Sequence, residues 1–290
     1  MNHTPVLLKE VLEYLNPKSG ENFIDCTVGF AGHALAILKQ IAPSGKILGI
    51  ELDEKVIKKL KLSENIILKQ GNFANLKKIV QECHFQPVNG ILFDLGISSW
   101  QIEQSGRGFS FLRDEPLDMR FDNNTPDLTA EKIINQWPEK ELIEIFQEYG
   151  EERYARRITQ GICGVRKNKS IKTTSQLVEI IRQTIPAKYR RQKIHFATRA
   201  FQALRIAVND ELNNLKKTLP QTLEILEPGG RLVIISFHSL EDRIVKIFFR
   251  EQAKERSLEI LTKKPIRPDQ KEINLNPRSR SAKLRAAIKL

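Results

Sequence analysis

The sequence predicts an α/β fold, a seven-stranded sheet with an inserted all-helical domain. Over the first hundred residues, short apolar runs alternate with segments of helical periodicity, a pattern typical of βαβ units and a parallel sheet. No strand pattern is found in residues 105–208, and the α/β alternation resumes after them. We therefore expect one discontinuous α/β domain, residues 1–104 and 209–290, with residues 105–208 as a helical insertion.

The predicted strands are short apolar runs bounded by turn residues. The fifth follows Pro228-Gly229-Gly230, a strong turn signal. The seven strands are Phe23–Cys26, Lys46–Glu51, Ile66–Lys69, Val88–Asp94, Arg231–Ser236, Leu258–Leu261 and Lys283–Lys289.

Apolar spacing and capping residues predict the helices. Pro138 begins a helix that Gly150 closes. The segment Thr173–Gln176 fits a capping box for a helix that stops at Pro186. Leucines from Leu212 to Leu226 form the stripe of a long helix. Further helices are expected at Ala34–Ile41, Glu54–Leu60 and Leu76–Cys83, around Phe201, Leu204 and Val208, and around Leu240, Ile244 and Ile247.

Composition indicates a folded chain with a polyanionic partner. Hydrophobic residues make up 40% and charged residues 28%, which is ordinary for a globular protein. The net charge of +12 is concentrated in two blocks. Residues 263–290 carry nine Lys or Arg against two acids, and residues 182–199 carry six and no acid. This pattern favours nucleic acid as the partner, the alternative being ordinary solvated surface charge.

Cysteine usage and hydropathy favour a cytoplasmic protein. Three scattered cysteines, without a C-x-x-C pair, are too few for a disulfide framework or a structural zinc site. The first ten residues lack a basic n-region, and no apolar run approaches the length of a membrane span. We expect no metal and no membrane contact.

The loop after the first strand is suited to a nucleoside. Gly29 and Gly32 let the backbone approach a ligand closely at a helix N-terminus. Glu51 ends the second strand, where a carboxylate can accept hydrogen bonds from a ribose diol. The dinucleotide motif G-x-G-x-x-G and the P-loop are both absent. A nucleoside cofactor without pyrophosphate indicates S-adenosyl-L-methionine, with a purely structural turn as the alternative.

The fourth strand ends in Asp94, at the centre of the predicted sheet, where a methyl donor would meet its acceptor. A strand-end aspartate is also a common cap of a turn. Beyond it lies a long loop rich in glycine and aromatic residues. Because such loops are often functional, we expect a lid in which Phe109 and Phe111 can stack on a base.

Eight segments distributed along the chain form a distinctive ordered set. They are Asp25–His33, Gly90–Ser99, Arg107–Phe111, Pro116–Arg120, Tyr149–Arg153, Ala197–Arg205, Ser236–Arg243 and Asn276–Ser281. Together they resemble the RsmH (MraW) family of bacterial enzymes over essentially the whole chain. This family methylates the N4 amine of one cytidine in the decoding centre of 16S rRNA. The resemblance implies a Rossmann-like class I methyltransferase fold, S-adenosyl-L-methionine as cofactor, and 16S rRNA, within the assembled 30S subunit, as partner.

The resemblance also implies a set of cofactor-binding residues, and three positions depart from the family pattern. Ala31 stands where the family has Gly, Glu51 where Asp is usual, and Trp100 where Pro is common. Alanine tolerates a positive φ poorly, so Ala31 tests whether that position needs one. The implied cofactor contacts are Ala31, Gly32, His33, Glu51, Phe73, Asp94 and Gln101.

The target amine is a weak nucleophile, because its lone pair is delocalised into the base. We expect Asp94, or backbone carbonyls of residues 95–98, to accept an N–H bond from it. His195, Arg199 and Arg205 are candidate RNA contacts, with ordinary helix-surface charge as the alternative. His238 follows a strand end and is a candidate base contact or, alternatively, a capping histidine.

Two other functions stay open at this point. A non-catalytic RNA-binding factor for ribosome assembly would keep the fold, although Gly32, Glu51 and Asp94 argue against it. A DNA amino-methyltransferase would share the chemistry. Its usual Asp/Asn-Pro-Pro-Tyr/Phe motif is absent, since the fourth strand here continues as Asp94-Leu95-Gly96.

Overall fold

The computed structural model describes residues 5–60, 62–122, 128–192 and 194–290. The chain divides into two compact units, Met1–Gly96 with Leu212–Leu290, and Ile97–Glu211. The second unit begins earlier than the insertion expected at 105–208, because a short helix at Ser99–Glu103 belongs to it, and it ends later, at Glu211.

The first unit contains one seven-stranded sheet, in the order β3-β2-β1-β4-β5-β7-β6. Strands β1 to β5 run parallel, and β7 pairs antiparallel with both β5 and β6. This confirms the seven predicted strands, with ends that differ by up to two residues. The strands are β1 Phe23–Asp25, β2 Ile47–Glu51, β3 Ile66–Gln70, β4 Gly90–Asp94, β5 Arg231–Ser236, β6 Leu258–Ile260 and β7 Lys283–Lys289.

The helices follow the predicted periodicity, and the capping box at Thr173 and Gln176 is confirmed. The predicted Glu54–Leu60 helix is shorter, ending at Ile57. The helices are α1 Leu8–Leu15, α2 Gly32–Ile41, α3 Glu54–Ile57, α4 Leu76–Glu82, α5 Ser99–Glu103, α6 Ala130–Gln136, α7 Glu139–Glu148, α8 Ala155–Arg166, α9 Thr174–Thr184, α10 Ala187–Arg190, α11 Thr198–Asn209, α12 Glu211–Ile225, α13 Ser239–Lys254 and α14 Gln270–Leu275. Among the described residues, none of these helices has the length and apolar character that crossing a bilayer requires.

Both faces of the sheet are covered by apolar clusters. Ile24 and Phe93 belong to one cluster, while Phe23 and Leu92 belong to the other. Adjacent residues of one strand alternate between the faces, so a strand buried on both sides must be apolar throughout. Because the strand interiors are filled in this way, polar groups of the sheet are concentrated at the strand ends.

The second unit has a core of its own, built from α6, α7, α8, α9 and α11. A buried hydrogen bond joins the Tyr189 hydroxyl to Glu152 Oε2 at 2.9 Å. The unit contains an isolated bridge between Pro116 and Thr173, and none of the named strands lies within its described residues.

Candidate active site

Three neighbouring strands of the first unit each end in a residue with a carboxylate side chain. Asp25 closes β1, Glu51 closes β2 and Asp94 closes β4. These strands are adjacent in the order β2-β1-β4 and parallel, so their carboxyl ends lie at one edge of the sheet. Ligands of open α/β sheets bind outside this edge.

The loop between β1 and α2 has a left-handed turn at Ala31, with φ 62° and ψ 21°. An alanine is held there because the residue is fully buried and its N–H donates to the Val28 carbonyl at 2.7 Å. Gly32 begins α2, and a Cβ on it would lie 2.6 Å from Pro5 Cγ. Any larger residue at this position would collide with Pro5, so packing against the N-terminal segment requires glycine here.

Glu51 reaches back to this loop. Its Oε2 accepts from the Gly29 N–H at 3.1 Å, and its Oε1 accepts from the Asp53 N–H at 2.8 Å. Burial raises the pKa of Glu51, and these hydrogen bonds oppose that rise. Each carboxylate oxygen has two acceptor sites, so Glu51 keeps capacity for ligand hydroxyls.

Asp94 combines burial with an unused acceptor. Its side chain is 17% exposed, and Oδ1 is buried without a hydrogen-bond partner among the described residues. Burial raises the pKa of Asp94 to about 7, and the charge of Glu241 acts in the same direction. A buried carboxyl oxygen without a partner is costly, so such a group marks a place where a ligand can complete the hydrogen bonding.

His33 lies beside Asp94. Its Nε2 is 2.9 Å from the Val6 carbonyl oxygen, and its Nδ1 is 3.6 Å from Asp94 Oδ2. Burial lowers the pKa of His33, while the nearby charge of Asp25 raises it.

Asp25 and Thr27 belong to the same edge, and sequence reasoning did not select them as site residues. Asp25 is 2% exposed, and its Oδ1 accepts from the Thr27 N–H at 3.1 Å. Thr27 Oγ1 in turn accepts from the Asp94 N–H at 2.7 Å, which ties the ends of β1 and β4 together. Burial raises the pKa of Asp25 to about 6. The available signal was position alone, since Asp25 is the last residue but one of the predicted strand Phe23–Cys26, just before the glycine loop.

Phe73 lies in a short 3₁₀ turn that follows β3. Asn72 caps this turn by accepting from the Ala74 N–H at 2.8 Å. The Phe73 ring is half-buried and meets Phe93 edge to face, with centroids 5.6 Å apart. It is thereby attached to the sheet next to the strand ends, with part of its surface exposed.

Gln101 belongs to the second unit and forms a capping box at the start of α5. Its Oε1 accepts from the Ser98 N–H at 2.8 Å, and its own N–H donates to Ser98 Oγ at 3.2 Å. The described contacts of Gln101 are therefore structural, and its cofactor contact stays a prediction.

The two phenylalanines of the expected lid differ in exposure. Phe109 is 7% exposed and stacks on Phe121 at 5.7 Å, so stacking on a base would require it to leave the core. Phe111 is only partly buried, and His195 stacks on it at 4.4 Å and on Phe196 at 4.3 Å. His195 and Phe111 are thus brought together, as one aromatic stack.

The two candidate arginines of α11 have different partners. Arg205 makes a bidentate pair with Glu211 at 2.8 and 2.9 Å, and both side chains are almost buried, at 12% and 9% exposed. Arg199 Nη1 donates to the Glu151 carbonyl at 2.7 Å in a more exposed setting. The geometry favours Arg199 over Arg205 as a phosphate contact.

His238 begins α13 as its N-cap. Its Nδ1 accepts from the Glu241 N–H at 3.4 Å, while Glu241 Oε2 accepts from the Phe237 N–H at 2.8 Å. This is the capping alternative considered for His238; a contact with the substrate base stays a prediction.

The comparisons with known proteins concern the whole chain. A profile of the MraW methylase family matches residues 1–290. A ribosomal RNA small subunit methyltransferase H from Halothermothrix orenii is 48% identical over 306 residues, covering 99% of this chain and 98% of the relative. The Thermotoga neapolitana protein of that name is 48% identical and covers 98% and 95%. The protein from Symbiobacterium thermophilum is 44% identical and covers 100% and 97%.

Proposed function

Because the chain belongs to the MraW methylase family, we propose that it uses S-adenosyl-L-methionine to methylate the N4 amine of a cytidine in the decoding centre of 16S rRNA. The relatives' shared name supports an rRNA of the small ribosomal subunit as the substrate. The observation that carries the chemistry is Asp94 Oδ1 at the carboxyl edge of the sheet, which is buried and has no hydrogen-bond partner within the described part of the chain.

The edge of the sheet fits the proposed cofactor. S-adenosyl-L-methionine supplies a methyl group on a positively charged sulfur. The carboxyl groups of Asp25, Glu51 and Asp94 favour a cation at this edge. Glu51 can accept from ribose hydroxyls, the backbone of the Ala31–His33 turn can bind the methionine part, and Phe73 can lie against the adenine.

Asp94 is the residue we assign to the acceptor amine. A carboxylate that accepts one N–H bond withdraws that hydrogen from the base plane and favours a tetrahedral nitrogen with an available lone pair. With a pKa raised to about 7, Asp94 is also a better proton acceptor than an ordinary carboxylate. The proposed catalytic role of Asp94 therefore joins orientation with proton uptake.

The RNA contacts are assigned to the two basic blocks. Residues 182–199 belong to the second unit and residues 263–290 to the first. Lys and Arg bound to phosphates release counterions, so affinity for the RNA should fall steeply with salt. His195 with Phe111, Arg199 and His238 are the proposed closer contacts. The proposed substrate also implies a cytoplasmic protein.

The test is transfer of labelled methyl from S-adenosyl-L-methionine to four acceptors in parallel. These are 30S subunits without the modification, protein-free 16S rRNA, tRNA and DNA, each followed by nucleoside analysis. We expect N4-methylcytidine in the 30S subunits, whose assembled RNA shapes the target. Methylation of DNA alone would favour the DNA amino-methyltransferase. Cofactor binding without transfer to any acceptor would reject the substrate, and no cofactor binding would favour the assembly factor.

A further inference from the structure

We propose that His33 is a positioning residue of the reaction, whose Nδ1 shares with Asp94 the proton that the acceptor amine loses. The inference rests on the proposed function, because it needs an amine at Asp94. Two contacts carry it: His33 Nε2 lies 2.9 Å from the Val6 carbonyl oxygen, and Nδ1 lies 3.6 Å from Asp94 Oδ2.

The Val6 carbonyl sets the tautomer of His33. A carbonyl oxygen can only accept a hydrogen bond, so the 2.9 Å contact requires a hydrogen on Nε2. In the neutral ring, Nδ1 then has the lone pair, and Asp94 Oδ2 is its neighbour. A lone pair beside a carboxylate oxygen is repulsive, so this contact favours states in which one proton lies between the two groups.

Charged groups from three further elements face the pair. Burial lowers the pKa of His33, while Asp25 at the end of β1 and Glu272 in α14 raise it. Burial raises the pKa of Asp94 to about 7, together with the charge of Glu241 in α13. Burial is the larger effect on His33 and lowers its pKa, which favours the neutral ring, with Nδ1 able to accept a proton.

In the proposed step the amine nitrogen gains one methyl group and loses one proton. The amine nitrogen forms a bond to the methyl carbon while the bond between that carbon and sulfur breaks, and the bonding pair stays on sulfur. The nitrogen then releases an N–H proton to the Asp94 carboxylate and keeps the electron pair. Asp94 shares this proton with His33 Nδ1, and the Val6 carbonyl stabilises the resulting ring charge.

Proton transfer between Asp94 and His33 requires a small movement of the two side chains. At 3.6 Å the two groups are within ion-pair range but too far apart for a hydrogen bond, so they must approach by several tenths of an ångström. Asp94 is the more exposed partner, at 17% against 6% for His33, so the proton leaves to water from Asp94 after the product departs.

Sharing the proton has a consequence for pH dependence. Two sites that share one proton bind it more tightly than either site alone. Loss of His33 should therefore lower the pH at which Asp94 becomes a carboxylate. We expect the single-turnover rate to rise with pH to a plateau, and both the midpoint and the plateau to fall in a variant without the imidazole.

His33→Gln is the most informative substitution, because its amide can still donate to Val6 but cannot take up the proton. His84→Gln is the matched control, since His84 is exposed and lies in the same unit. Calorimetry without RNA measures cofactor affinity, and single-turnover transfer to 30S subunits gives the pH profile. For His33→Gln we expect affinity unchanged within about threefold and a plateau about tenfold lower or more.

A second readout needs no acceptor and no His33 variant. Nitrogen-15 NMR of the imidazole ring should show Nε2 protonated throughout, with Nδ1 titrating. In Asp94→Asn the Nδ1 midpoint should fall, because the negative partner that favours the charged ring is lost.

The outcomes separate the inference from the proposed function. A wild-type midpoint and plateau in His33→Gln would overturn the inference, as would an Nδ1 titration unaffected by Asp94→Asn. A loss of cofactor affinity as large as the loss of rate would also overturn it, by giving the His33 imidazole a role in cofactor binding instead. Failure of the wild-type protein to methylate any acceptor rejects the proposed function, and the NMR titration then tests the proton pair by itself.

Discussion

The polar side chains at the carboxyl edge of the sheet and those near α11 of the second unit differ in how completely they are hydrogen-bonded. At the edge, Asp94 is held by its strand and by Thr27, yet its Oδ1 has no described hydrogen-bond partner. In the second unit, Arg205 donates from Nε and Nη2 to the two carboxylate oxygens of Glu211. A parallel sheet positions strand-end groups through its backbone, so Asp94 Oδ1 can be left to a ligand, while Asp25 and Glu51 accept from backbone N–H groups. In the second unit, the nearly buried Arg205 instead contributes to stability through its pairing with Glu211.

The largest loss of methyl-transfer rate is expected from a substitution at the carboxyl edge of the sheet. Asp94→Ala removes the proposed acceptor of the amine proton, so single-turnover methyl transfer at saturating cofactor should fall by about 10²–10⁴. Glu64→Gln is the control, because it removes a carboxylate from an exposed position of the same unit, outside both basic blocks. Normal transfer by Asp94→Ala would show that backbone carbonyls of residues 95–98, or another group, do this work.

The Arg205–Glu211 pair of the second unit should affect the stability of the protein. Arg205→Ala leaves the buried Glu211 carboxylate without its bidentate partner, and we expect the free energy of unfolding to fall by about 3 kcal/mol. Urea unfolding of the protein measures this. Arg199→Ala should cost less than about 1 kcal/mol, because that side chain is more exposed, and should instead weaken RNA binding. The reverse result would make Arg205 the phosphate contact.

Substitutions of Glu51 test whether its carboxylate binds the cofactor at the carboxyl edge of the sheet. Glu51→Gln loses the charge and turns one acceptor of a backbone N–H into a donor, so cofactor affinity should fall about tenfold, or about 1.4 kcal/mol. Glu51→Asp keeps the charge and serves as the matched variant. Calorimetric titration with S-adenosyl-L-methionine distinguishes them, and equal affinities for Glu51→Gln and the wild type would remove Glu51 from the ribose site.

The smallest effect is expected at Ala31. Glycine there relieves the left-handed backbone by about 1 kcal/mol, but it removes a buried methyl group worth about 0.8 kcal/mol and adds chain entropy to the unfolded state. Ala31→Gly should therefore change the free energy of unfolding by less than about 1 kcal/mol. A larger loss, in thermal or urea unfolding, would mean that packing of the methyl group dominates at this position.

Much of the fold could be predicted from local patterns. The seven strands and the Thr173 capping box depend on residues close together in sequence, and both are confirmed. The ends of elements were less predictable, as at Glu54–Ile57, where the helix stops before the apolar spacing does. Ala31 was flagged from sequence as a test of positive φ, and the structure shows φ 62° there.

The sequence by itself determined the alternation of strands and helices, and therefore that Glu51 and Asp94 would end parallel strands and that Asp25 would lie near the end of another. Only the tertiary structure decided which groups these and other side chains meet. His33 faces Asp94 and Val6, Arg205 meets Glu211, and Phe109 enters the core of the second unit. The physical reason is that periodicity records which face of an element is apolar. The partner of a polar side chain, in contrast, depends on how distant segments pack.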